Sequence, residues 1–126
     1  MIRILTVDDS KSMRQMIAFT LESAGIEVIE KSDGLEAYEW AKQNAAPDLI
    51  LADINMPNMD GITLIKKLRE MQEYKYIPIL VLTTESSKEK KIQGKETGAT
   101  GWIVKPFDPE QLINTINKVV GLKKQG

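Results

Sequence analysis

The sequence predicts a single α/β domain in which a mostly parallel β-sheet is covered by helices. Short β-rich runs alternate with segments of helical period along the chain, and that alternation implies right-handed crossovers and a common strand direction. Capping residues, glycines and prolines mark the changes of period. Three apolar runs, 4–7, 49–52 and 102–104, lead directly into Asp8-Asp9, Asp53 and Lys105-Pro106. A parallel sheet gathers these polar groups at one edge, the edge at which open α/β sheets bind ligands.

The elements follow in order. After the first strand and Asp9, residues Met13, Met16, Ile17, Leu21 and Ala24 share one helical face, and Gly25 stops the pattern. Residues 27–31 read as a short second strand. Asp33 with Glu36 three positions on is a capping signature, and Leu35, Tyr38 and Ala41 form the stripe of a second helix ending near Ala46-Pro47. The third strand delivers Asp53. Beyond the Met56-Pro57 turn, Asp60 is placed to cap a third helix with Ile62, Ile65, Leu68 and Met71 inward. Pro78 precedes a fourth strand over 79–82, followed directly by Thr83, Thr84 and Glu85. A fourth helix over about 87–97 carries Lys88, Lys90, Lys91 and Lys95, with Ile92 nearly its only large apolar residue. Its internal Gly94 costs about 1 kcal/mol relative to Ala, so Gly94→Ala is expected to firm it. Asp108-Pro109-Glu110-Gln111 opens the last helix, whose buried face is Leu112, Ile113, Ile116, Val119 and Val120.

Composition limits the chemistry. The 126 residues, 42% hydrophobic, suffice for one core and not for two. With no repeat, low-complexity tract or linker in view, residues 1–126 are expected to form one domain with no second attached. Lys+Arg 17 against Asp+Glu 18 gives a net charge of -1, so no basic field favours nucleic acid. The counts Cys 0 and His 0 remove disulfides, thiolate nucleophiles and imidazole bases or ligands. A metal held here must take oxygen ligands, which points to Mg²⁺ or Mn²⁺. The first strand starts too early for a signal peptide, and no apolar stretch approaches membrane-spanning length. A cytoplasmic protein with no membrane contact is expected.

Singly, Asp8-Asp9 also suit a helix cap, Asp53 a turn before Pro57, and Lys105 a solvated surface charge. Their joint placement favours a metal-dependent phosphate site. Four blocks then carry a resemblance that spans essentially the whole chain: Val7-Asp8-Asp9-Ser10, the run 53–61 from Asp53 through Asn55, Pro57 and Asp60-Gly61, Leu82-Thr83-Thr84-Glu85, and the run 98–107 with Trp102 and Lys105-Pro106-Phe107. In this order and spacing the chain resembles the receiver domains of bacterial response regulators, and among them the single-domain chemotaxis regulators.

The resemblance implies a flavodoxin-like, doubly wound, five-stranded parallel sheet of order 2-1-3-4-5 with five helices. It implies Asp53 as phosphoacceptor, taking a phosphoryl group from a histidine kinase to form an acyl phosphate. Mg²⁺ would be ligated by Asp9, Asp53 and the backbone carbonyl of Asn55, with Asp8 acting mainly through water. Lys105 would pair with a phosphoryl oxygen, Thr83 would offer its hydroxyl to another, and Lys105-Pro106 would be a cis bond. Thr83 and Trp102 would be the switch residues. The implied protein is a monomeric signalling switch and not an enzyme, with self-catalysed phosphoryl transfer and autodephosphorylation. Its output partner would be a flagellar motor switch protein, with a phosphatase as a further partner.

Two departures stand out. Trp102 occupies a position usually held by Tyr or Phe, and the larger ring is expected to fit an inward pocket poorly. Thr84 stands where a smaller residue is common, and would narrow access to the site. Two rival functions remain. A phosphorelay shuttle or phosphate sink would pass its phosphoryl group to a histidine phosphotransfer protein. An aspartyl phosphatase of the haloacid dehalogenase type shares the carboxylate nucleophile and Mg²⁺, but normally has a second aspartate where this chain has Asn55.

Overall fold

The computed structural model describes residues 1–125. Five strands, β1 (Arg3–Val7), β2 (Glu27–Lys31), β3 (Leu49–Ala52), β4 (Ile79–Thr83) and β5 (Gly101–Val104), alternate with five helices, α1 (Lys11–Ser23), α2 (Gly34–Gln43), α3 (Gly61–Arg69), α4 (Lys88–Thr97) and α5 (Pro109–Gln125). A 3-10 turn, Gln72–Tyr74, lies between α3 and β4. The strands are all parallel in the order β2-β1-β3-β4-β5. Among the described residues, no helix is long and apolar enough to cross a membrane.

Both faces of the sheet are covered, which is why β3 is apolar throughout and β1 and β4 nearly so, with Thr6 and Thr83 themselves buried. Successive strand residues point to opposite faces. Leu5, Val7, Ile50, Ala52, Ile79 and Val81 pack with Ala37, Leu64, Ile65 and Leu68 of α2 and α3. Ile4, Leu49, Leu51, Leu80 and Leu82 pack with Ile17, Leu21, Leu112 and Ile116 of α1 and α5. Strand order reverses between β2-β1 and β3-β4-β5, so the carboxyl ends of β1 and β3 flank the switch point of the sheet.

Several local expectations need correction. Met16 is 55% exposed and Leu35 44% exposed. The α1 core face runs through Ile17, Ala18 and Leu21, and α2 approaches the sheet on Ala37 and Ala41. In α3, Leu64 joins Ile65 and Leu68 in the core, while Ile62 is only half-buried. Glu36 reaches back one residue further than a standard capping box, accepting from the Ser32 N–H at 3.0 Å and facing the Ser32 hydroxyl at 3.1 Å. Gly94 is the one buried residue of α4, and a Cβ there would lie 2.7 Å from Trp102 Cζ3. It is the contact point of the helix, and Ala in its place would press on the indole.

Candidate functional site

Strand register builds the site. Val7 of β1 lies opposite Ala52 of β3, so the next residues, Asp8 and Asp53, emerge side by side. The Asp53 N–H donates to the Val7 carbonyl at 2.9 Å. On the other side Thr83 pairs with Val104, and the Lys105 N–H donates to the Thr83 carbonyl at 2.8 Å, bringing Lys105 over the ends of the central strands.

Asp8 and Asp53 are buried, at 2% and 8% exposure, while Asp9 is exposed. One carboxylate oxygen from each of the three lies within 4.8 Å of the others. Lys105 Nζ donates to Asp8 Oδ2 at 2.7 Å and to Asp53 Oδ2 at 2.9 Å. The other oxygen of Asp53, Oδ1, accepts from the Ile54 N–H at 2.6 Å and the Asn55 N–H at 3.3 Å. Asp8 Oδ1 accepts from the Ser10 N–H at 3.0 Å. The α1 cap is Ser10, which accepts from the Met13 N–H, so the acidic pair is free of that duty. Gly61 opens α3 against the same peptides: its N–H donates to the Ile54 carbonyl at 2.8 Å, and a Cβ there would overlap the Asp53 carbonyl oxygen.

Burial of Lys105 works against its charge, but hydrogen bonds to Asp8 and Asp53 and the charge of both outweigh it, and the ammonium pKa is raised. Lys105 is therefore cationic throughout the neutral range. One ammonium pairs with two of the three clustered carboxylates, leaving surplus oxygen donors at the exposed side, where Asp9 stands. With no thiol or imidazole in the chain, this donor set fits a small hard cation.

Thr83 is fully buried at the end of β4, and its Oγ1 accepts from the Glu85 N–H at 3.2 Å. The Glu85 carbonyl in turn accepts from Trp102 Nε1 at 3.0 Å. One residue, Glu85, thus links Thr83 to Trp102. Trp102 is half-buried, its ring over Gly94. The expected misfit of the larger aromatic is avoided because the facing helix residue has no side chain. Asn55 is exposed on the loop after Asp53, and Thr84 is exposed beside the site. Lys105-Pro106 is cis. Sequence reasoning missed Arg14, whose Nη1 donates to the Asp8 carbonyl at 2.7 Å. An arginine one turn into the helix after an acidic pair was the available signal.

Residues 4–117 match the family model described as the response regulator receiver domain. The chain is similar to the chemotaxis protein CheY1 of Helicobacter pylori, 41% identical over 120 residues, which span 94% of this chain and 97% of that relative. Among solved structures it resembles the chemotaxis protein CheY4 of Vibrio cholerae, with 50% identity, a TM-score of 0.89 and coverage of 94% of this chain and 98% of that one. It also resembles the receiver domain of the sensor histidine kinase PA1611 of Pseudomonas aeruginosa, solved with a magnesium ion coordinated in its active site cleft. There the identity is 26%, the TM-score 0.87 and the coverage 94% and 97%.

Proposed function

The chain belongs to the response regulator receiver family and relatives that it matches over nearly their full length are chemotaxis proteins, and from that premise we propose that Asp53 is the phosphoacceptor of a chemotaxis switch. The observation that supports this reading best is the Asp53 carboxylate itself. It sits at the sheet edge with one oxygen held by two backbone N–H groups and the other by the Lys105 ammonium.

The chain has no histidine, so the donor phosphohistidine belongs to another molecule, a histidine kinase. An Asp53 carboxylate oxygen attacks phosphorus, the P–N bond to the donor imidazole breaks, and its electron pair stays on the imidazole nitrogen. The product is an acyl phosphate on Asp53. The Ile54 and Asn55 N–H groups fix the carboxylate plane for in-line approach, so transfer is mainly positioning and electrostatics. Lys105 exchanges its Asp53 contact for a phosphoryl oxygen. Asp9, Asp53 and the Asn55 carbonyl would hold Mg²⁺, which would supply the positive charge that lets an anionic phosphoryl group approach a carboxylate. Asp8, already engaged by Lys105 and the Ser10 N–H, would act on the cation through water.

After transfer the Thr83 hydroxyl donates to a phosphoryl oxygen. Its movement reaches Trp102 through the backbone of Glu85 and changes the face made by α4, β5 and α5. Water attack at phosphorus later breaks the P–O bond to Asp53, releasing inorganic phosphate and returning the carboxylate, so the switch resets itself. The activated face binds a flagellar motor switch protein, and the donor is a chemotaxis histidine kinase in the cytoplasm; the chemotaxis names of the relatives support the chemotaxis role, and a relative that is a sensor histidine kinase, CheAY of Helicobacter pylori, supports the kinase. A pull-down from cells with phosphorylated and unphosphorylated protein tests this output. Motor switch protein retained only by the phosphorylated form supports it, and retention of a histidine phosphotransfer protein instead would replace it with a relay role.

A further inference from the structure

The loop from Ile54 to Asp60 carries the Asn55 carbonyl and joins Asp53 to α3. Its inner end is fixed by the Gly61 N–H on the Ile54 carbonyl. Its crest is fixed from a different element, the N-terminus of α2. Asn58 Nδ2 donates to Asp33 Oδ2 at 2.8 Å, and the Gly34 N–H donates to the Met59 carbonyl at 3.1 Å. A Cβ at Gly34 would overlap the Met59 carbonyl oxygen. Asp33 serves both elements, because its Oδ1 accepts from the Glu36 N–H at 2.8 Å and caps α2. Asn58 holds φ 65, a left-handed conformation that Asn tolerates better than most residues because its short side chain can bond locally.

We propose that Asp33 and Asn58 are positioning residues for the metal and phosphoryl site: their bond latches the crest of the loop and so sets where the Asn55 carbonyl and N–H stand relative to Asp53. This rests on the reading of Asp53 and Asn55 as the Mg²⁺ site. The Asn55 N–H already makes the longer of the two bonds to Asp53 Oδ1, 3.3 Å against 2.6 Å for Ile54. It is the bond that slack in the loop would lose first. A charge-assisted amide-to-carboxylate bond is strong enough to matter at that distance.

Four full-length variants test the latch by Mg²⁺ titration calorimetry, with thermal melts and hydrogen exchange of residues 54–60 in chelator. Asn58→Asp sets carboxylate against carboxylate. Asn58→Gly keeps the left-handed backbone and loses only the side-chain bond. Both are expected to weaken Mg²⁺ by about five- to tenfold and to speed exchange in the loop before any metal is added. The swap Asp33→Asn with Asn58→Asp reverses donor and acceptor while leaving an amide oxygen to cap α2, and it is expected to restore most of both losses. Asp9→Ala, a proposed ligand, controls for the underlying reading. If Asp9→Ala weakens Mg²⁺ while Asn58→Gly and Asn58→Asp bind as the wild type does, the latch is wrong and the metal site stands. If the swap melts as the wild type does yet binds Mg²⁺ no better than the single variants, the latch is wrong. If neither the wild type nor any variant binds Mg²⁺, both readings fall.

Discussion

The ammonium of Lys105 and the hydroxyl of Tyr74 are buried in opposite circumstances. Lys105 has two carboxylate partners, and removing it leaves Asp8 and Asp53 buried without a cation. Lys105→Ala should therefore destabilise the metal-free protein by about 3 kcal/mol, with Mg²⁺ recovering part of the loss. Asp9 is the reverse case, an exposed third carboxylate beside a pair already neutralised in part. Asp9→Ala should raise the metal-free melting midpoint and abolish the further rise that Mg²⁺ gives the wild type, which is about 2.7 kcal/mol at a hundredfold excess over Kd. Melts in chelator and in Mg²⁺ check both, and a wild-type midpoint indifferent to Mg²⁺ would count against the metal site.

Tyr74 is fully buried, and its hydroxyl has no hydrogen-bond partner among the described residues. Burial pushes its pKa from 10.0 up to about 12, with Glu73 adding to the rise and Arg3 opposing it. Between those values an unfolded tyrosine ionises while the folded one keeps its proton, so stability present below pH 10.0 is lost as pH rises toward about 12. Tyr74→Phe should lessen that alkaline loss and raise stability at neutral pH by about 1 kcal/mol, since an orphaned buried hydroxyl is removed. Denaturant titrations across the alkaline range would show this, and an alkaline loss equal to that of the wild type would refute it.

Among the elements, α4 is held least. Its lysines are exposed, Ile92 is 47% exposed, and Gly94 against Trp102 is its buried contact. Local opening there is expected to precede that of α5, with fast hydrogen exchange over 88–96 at rest and slower exchange with Mg²⁺ and a phosphoryl mimic. Gly94→Ala gains about 1 kcal/mol of helix propensity. It also forces a methyl group against the indole, an overpacking cost of about 1–3 kcal/mol. The clash wins or at least cancels, so exchange in α4 should not slow and Trp102 fluorescence should report a more exposed ring. Slower exchange with an unchanged indole would contradict this packing.

What was legible follows from the same distinction between local and tertiary causes. The strand positions, the caps Asp33 and Asp60, and the convergence of Asp8, Asp53 and Lys105 were readable because each depends on sequence neighbours plus one topological rule. Met16 and Leu35 were misplaced because period alone does not say which of two adjacent stripes meets the sheet. The anchoring of α3 was not readable at all. Arg69, at its last turn, donates to the carbonyls of Gly98, Tyr74 and Ile77, binding the end of α3 to the α4 cap and to the segment before β4. Nothing in its neighbours distinguishes it from a solvated lysine or arginine. The Asn58 latch is of the same kind, made by two loops 25 positions apart in the chain.

At the scale of the molecule, a phosphoryl group on Asp53 would be read through β4 and β5 by a weakly held helix, which suits a shift between states already present. The whole switch depends on where the phosphoryl group goes. The most direct measurement is to incubate the protein with acetyl phosphate and Mg²⁺, reduce it with borohydride, and locate by peptide mass spectrometry the homoserine that an aspartyl phosphate leaves behind. Homoserine is expected at position 53, dependent on Mg²⁺ and missing in Asp53→Asn. Homoserine at another aspartate, or undiminished base-labile labelling of Asp53→Asn, would contradict it.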